Sequence, residues 1–187
     1  MARNVRDRMV ESAAQLLARR GLQATSFSEV LELSGAPRGS IYHHFPDGKD
    51  QLIESALDAA GAVAIELLDR KAGAPAIEVA TWFLHIWREV LVRSHFDAGC
   101  AVLAVTVAAD SPKLRDHAAG IFRTWRGRLA ELLEQGGLAP DIAAATAATL
   151  IAASEGAVAL SRAEQSMEPF DLVAEQLLRQ VRSLSAT

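Results

Sequence analysis

The chain has 187 residues, half of them apolar, and a formal net charge of −4 at pH 7. That composition supports a packed core and excludes a disordered chain, and a single cysteine excludes an intrachain disulfide and fits a reducing compartment. The charge is unevenly held: residues 1–50 carry seven Lys/Arg against six Asp/Glu, the remainder twelve against seventeen, a head and body compatible with a nucleic-acid partner.

Alanine and leucine are abundant and β-branched runs few, so helices are expected in chain order and the fold class is all-α. The first helix runs from about residue 3 to Arg20, with Met9, Ala13, Leu16 and Leu17 at helical spacing. Gly21 stands where a left-handed cap is wanted. Ser26-Phe27-Ser28-Glu29 has the form of a capping box, opening a short helix with Val30, Leu31 and Leu33 that stops at Gly35. Pro37 can begin the next helix, where Ile41 and Phe45 lie four apart and share a buried face. Asp47-Gly48 breaks it, and Lys49 to about Lys71 forms a longer one. The expected boundary therefore divides a head, residues 1–48, from a body, residues 49–187, with no floppy spacer between them.

In the body, Ala76 to Arg93 reads as an apolar helix. Residues 98–109 could be a buried strand but would have nothing to pair with, so helix is expected. Ser111-Pro112 caps and starts a helix ending at Gly136-Gly137; Pro140 opens an alanine-rich helix to about residue 163, and Pro169 opens the last. The longest apolar run, Cys100 to Ala109, is about half the ~20 residues of a membrane span. No export signal is recognisable either, so a cytoplasmic protein without a membrane partner is expected.

Residues 35–52, GAPRGSIYHHFPDGKDQL, raise the question of chemistry. His43 and His44 are neighbours, and neighbours on a helix point about 100° apart, so the pair cannot converge on one metal ion. His85 and Glu89 are four apart and could give two ligands, but no third is supplied, so no metal is expected. Gly35 and Gly39 lack the spacing of a nucleotide-binding loop. No nucleophile elbow or hydrolytic triad is present, and neither catalysis nor a cofactor is expected. What remains is helix, tight turn, helix, with small and basic residues opening the second helix, as a helix-turn-helix requires.

In that arrangement Arg38 can make a bidentate contact to guanine, and Gly39 lets the backbone approach the duplex. Ser40, Tyr42, His43 and His44 offer donors to phosphates, and Lys49 is a charged phosphate anchor. Pro37, with Ser26 and Ser28 at the start of the preceding helix, completes the expected DNA-contacting set.

These residues carry a resemblance. Arg20-Gly21, Ala24-Thr25, Ser34-Gly35-Ala36-Pro37-Arg38-Gly39-Ser40-Ile41-Tyr42, His44-Phe45 and Lys49-Asp50-Gln51-Leu52 resemble the DNA-binding domain of the TetR family of bacterial transcription regulators. With Gly99-Cys100 in the body, the chain looks like the LmrA/YxaF-like multidrug-type branch. One departure is Pro37, where family members often have Ser or Thr, which leaves recognition more dependent on Arg38. The resemblance implies a homodimeric repressor that leaves palindromic operator DNA when a small lipophilic or aromatic effector binds. Its last two long helices would pair across the dimer, with Leu150, Ile151, Val158, Leu172, Leu177 and Val181 as expected interface residues. Trp82, Phe83, Trp87, Phe96, Phe122 and Trp125 hold most of the aromatic mass and would line the effector pocket, with His85 and Glu89 as its polar groups. The shared helix beginning at Lys49 would carry the signal to the head. Cys100 reads as a small buried apolar residue. A helical small-molecule binding protein that never touches DNA is the alternative.

Overall fold

The computed structural model describes residues 4–185. Among them the regular elements are all helices: α1 (Val5–Arg20), α2 (Phe27–Ser34), α3 (Ser40–His44), α4 (Lys49–Asp69), α5 (Ala76–Ser94), α6 (Ala101–Ala108), α7 (Pro112–Gln135), α8 (Pro140–Glu164) and α9 (Glu168–Leu184). The ambiguous stretch 98–109 is helical as α6, because a helix satisfies its own backbone groups where a lone strand could not. The expected start of the first helix, near residue 3, lies outside the described residues.

Local chemistry sets most helix ends. Asn4 caps α1, its side chain accepting from the Asp7 N–H at 2.8 Å. Ser26 and Glu29 form the expected capping box at the start of α2. Gly35 ends α2 in the left-handed region at φ 62°, ψ 24°. Gly21 also has positive φ, 78°, but its ψ of −179° is extended, so it turns the chain without the left-handed helical cap that the sequence suggested.

The start of α3 departs from expectation. Pro37 does not open the helix; the Ser40 N–H donates to the Pro37 carbonyl at 3.0 Å, and the helix begins at Ser40. The Ser40 hydroxyl donates to the same carbonyl at 2.6 Å. A short side chain returning to its own backbone stabilises a turn at the expense of helix.

The chain divides into two compact units. The first comprises residues up to Ala62 with Cys100–Phe122; the second comprises Val63–Gly99 and the residues from Arg123 onward. In the first, α1 packs against α2 and α6, and Met9, Leu17, Val30, Ile41, Phe45, Ile53, Val102 and Val105 are buried. Two polar contacts tie α4 to α7 within it: Lys113 with Glu54 at 2.8 Å and His117 with Asp58 at 2.7 Å. The hydrogen bond and charge of Glu54 push the Lys113 pKa above its ordinary value.

In the second unit α9 packs on α8 and α5, and one apolar cluster joins Val79, Phe83, Leu91, Leu129, Leu133, Leu150, Val158, Phe170, Leu177 and Val181. Asp69 meets Arg128 at 2.6 Å, and Arg88 pairs with Asp171. Run length hid one property of α8: it is long and apolar enough to cross a membrane by length and composition. Isolated Thr, Ser and Glu residues interrupt its apolar runs without lowering its mean hydropathy much. Of its most apolar window, 44% is buried inside the chain, as for a helix with one face in a core.

Candidate nucleic-acid interface

The turn between α2 and α3 is built from short-range bonds. The left-handed Gly35 reverses the chain, and the Ala36 N–H donates to Ser34 Oγ at 3.3 Å. Pro37, Arg38 and Gly39 then lie exposed in sequence. On α3, Ile41 and Phe45 turn inward and are buried, which anchors the short helix and leaves Tyr42 and His43 facing solvent. Tyr42 is 69% exposed, and its ring rests edge-on against Phe27 of α2 at 5.7 Å.

Three cations of the first unit are engaged within the chain. Arg6 donates to Ser55 Oγ at 3.0 Å and stands over the Phe45 ring at 5.3 Å. Arg20 pairs with Glu29 at 3.2 Å. The Lys49 ammonium donates to the Leu22 carbonyl at 3.0 Å. Arg38 is exposed and its side chain has no hydrogen bond or ion pair among the described residues. Gly39 has a φ that any residue tolerates, and a Cβ there would meet nothing within 4 Å.

The remaining expected DNA contacts are also placed. His43 and the half-buried His44 stack edge-on at 5.2 Å. Ser26 Oγ lies 2.9 Å from Ser28 Oγ. Among the described residues no group of three His, Cys, Asp or Glu could hold a metal.

The aromatic set of the body is split by the structure. Trp82 and His85 pair at 5.4 Å, with the Trp82 indole N–H donating to the Leu67 carbonyl at 2.6 Å. Phe83, Trp87 and Phe96 belong to the core of the second unit or pack on it. Phe122 falls in the first unit and Trp125 in the second. His85 is exposed, and Glu89 pairs with Arg93 at 2.8 Å. Sequence reasoning missed Arg162, which donates to the Phe96 and Asp97 carbonyls at 3.3 and 3.0 Å. The partners lie more than sixty residues apart, and no local pattern signals them.

Four of the expected interface residues, Leu150, Val158, Leu177 and Val181, are buried inside their own chain. A side chain already removed from water offers a partner little further area. Ile151 is half-buried and Leu172 is 60% exposed. The opposite face of α8 exposes Ala145, Thr149, Ala152, Gly156, Ala159, Leu160 and Ala163. Inward placement of Leu150 and Val158 against α5 and α9 leaves this small-residue face outward.

Residues 10–56 match the family model of bacterial regulatory proteins of the tetR family, and residues 76–176 match that of the LmrA/YxaF-like transcriptional regulator C-terminal domain. Over 179 residues, covering 92% of this chain and 91% of the relative, the chain is 37% identical to the HTH-type transcriptional regulator Rv0196 of Mycobacterium tuberculosis. It is 28% identical to the HTH-type transcriptional regulator YxaF of Bacillus subtilis over 92% of each chain. The fold is shared with a regulatory protein TetR from Rhodobacter sphaeroides, with a TM-score of 0.84 at 22% identity, covering 94% of this chain and 97% of the other.

Proposed function

The chain belongs to the TetR family of bacterial regulatory proteins, and on that premise we propose that it is a ligand-responsive repressor, released from its operator by a small lipophilic or aromatic effector. It is a DNA-binding transcriptional regulator, and such a protein works in the cytoplasm. Its matched relatives are regulators and not enzymes.

One observation carries the DNA-contact assignment: Arg38 is exposed in the turn before α3 and has no side-chain hydrogen bond or ion pair among the described residues, while Arg6, Arg20 and Lys49 of the same compact unit are engaged within the chain. An unengaged guanidinium loses no internal partner on meeting guanine, and its fork matches the O6 and N7 acceptors. Gly39 supports the reading, since neither its backbone angles nor its neighbours require glycine. Close approach of a duplex would. Tyr42, His43 and His44 would bond phosphates beside it.

The homodimer we propose uses the outward face of α8, where Ala152, Gly156 and Ala159 let a partner helix approach closely, with Leu160 and Leu172 (53% and 60% exposed) adding apolar area. Two copies then present two α3 helices to half-sites about 34–36 Å apart. The effector must bind the DNA-free conformation more tightly, and α4, one continuous helix from Lys49 to Asp69, carries the change to the head.

Duplexes selected by the protein from a random pool, followed by gel shift with Arg38→Ala, test this reading. A loss of at least tenfold in affinity is expected, about the value of one bidentate contact. Undiminished binding by that variant sinks the assignment. Failure to select any duplex would favour a helical ligand carrier that never touches DNA.

A further inference from the structure

We propose that Arg162 of α8 is a positioning residue for the DNA-binding conformation: its guanidinium clamps the turn between α5 and α6 in a shape that the turn's own residues disfavour. This rests on the reading of the chain as a DNA-binding regulator whose α8 helices pair. The turn runs from the end of α5 at Ser94 to the start of α6 at Ala101. Within it His95 and Phe96 are consecutive non-glycine residues with positive φ, 54° and 61°. One such residue is ordinary at a helix end, and His95 closes α5 in that way, with the Phe96 N–H donating to the Leu91 carbonyl at 2.9 Å. A second, bulky one in succession is not, and it persists only where its surroundings impose it.

Arg162 imposes it. Its Nε donates to the Phe96 carbonyl at 3.3 Å and its Nη2 to the Asp97 carbonyl at 3.0 Å. One rigid, planar fork thus fixes two successive peptide groups, which the single ammonium of a lysine could not do. The remaining nitrogen lies against Gly99: a Cβ there would sit 2.8 Å from Nη1, and the three atoms nearest to it all belong to Arg162. Gly99 has no positive φ, so it is the guanidinium, and not the backbone, that requires glycine. Ser94 also closes the turn, its Oγ accepting the Ala98 N–H at 3.1 Å. All of these residues belong to the second unit. The next one, Cys100, caps α6 by accepting the Leu103 N–H at 3.3 Å, and α6 packs on α1 in the unit that carries α3. The clamp therefore lets α8 set the path by which the chain enters the helix on which α1 rests.

A clamp and ordinary packing differ in what their loss does to DNA binding. The full chain is titrated with the duplex selected from a random pool, at a temperature where circular dichroism shows every variant folded. Arg162→Ala is expected to weaken binding about tenfold, within the range by which residues along a coupled path act. Arg162→Lys, which keeps the charge and can hold one carbonyl at a time, should recover about threefold of that. Leu138→Ala, which truncates a buried side chain of the same unit, should lower Tm at least as much and leave affinity within about twofold. Gly99→Ala should weaken binding about threefold by displacing the fork, and should cost nothing further in the Arg162→Ala background.

Wild-type affinity in Arg162→Ala overturns the clamp. So does an equal loss in Leu138→Ala, which would make the effect a general loosening, or a cost of Gly99→Ala that persists without Arg162. Selection of no duplex by the wild-type chain overturns the regulator reading and the clamp together. If duplex binding needs Arg38 but not Arg162, the clamp alone is wrong.

Discussion

Two glycines of α7 and its end should respond with opposite sign to the same substitution. Gly136 follows α7, and its carbonyl accepts the Ala76 N–H at 3.0 Å, so the turn before α8 lies backbone to backbone against the start of α5. A Cβ at Gly136 would lie 2.8 Å from the Ala74 oxygen and from Ala76 Cα, and closer still to the Ala76 nitrogen. None of these is the end of a flexible side chain. One segment must move by roughly 1 Å, at an overpacking cost of about 1–3 kcal/mol. Stretching the Ala76 to Gly136 hydrogen bond adds about 1 kcal/mol. Gly136→Ala should therefore cost about 3 kcal/mol and lower Tm by about 6–12 °C for a chain of this size. Gly127, exposed on α7 with nothing within 4 Å of its Cβ, is the control. There alanine removes backbone entropy and should stabilise by about 0.5–1 kcal/mol. Calorimetric melting of both variants checks the pair. A Gly136→Ala protein melting within about 1 °C of its parent, well inside the shift expected for 1 kcal/mol, would refute the close-approach argument. Equal destabilisation by Gly127→Ala would refute it as well.

Other outcomes follow from the same geometry. Arg38→Ala should relax sequence preference at the base pair it reads in a selected-duplex gel shift while leaving Tm within about 1 °C, as expected for an exposed side chain with no partner among the described residues. Ser26→Ala removes the α2 cap and should cost about 1 kcal/mol, read as a Tm lowered by about 2–4 °C. Ala152→Glu on the outward face of α8 should convert the proposed dimer to monomer in sedimentation at low micromolar concentration; a dimer that survives would move the interface elsewhere. Phe45→Ala, which empties a fully buried site beneath α3, should cost about 3–5 kcal/mol in a denaturant titration.

The residues that could be read correctly in advance are those whose chemistry is local. Ser26 with Glu29, Gly35, and prolines 112, 140 and 169 act within one helical turn, and the helices start or stop beside them. The paired burial of Ile41 and Phe45 likewise follows from a four-residue spacing. Pro37 misled because a turn closed by Ser40 competes with helix at the same three residues, and propensity alone does not decide between two local minima. The expected interface residues show a different limit. Leu150 and Val158 are apolar enough for a core or a partner, and the choice rests on where α5 and α9 lie.

What the sequence by itself determined is the helical class, most helix boundaries and a turn carrying Arg38-Gly39 just before a short helix, because capping, periodicity and turn residues are short-range. Only the tertiary structure decided that α6 joins the first unit, that α8 turns its small residues outward, and that Lys49 is already bonded to Leu22. Each of these depends on segments tens of residues apart meeting in space. Their meeting is set by the summed burial of many side chains, and no single residue type announces it.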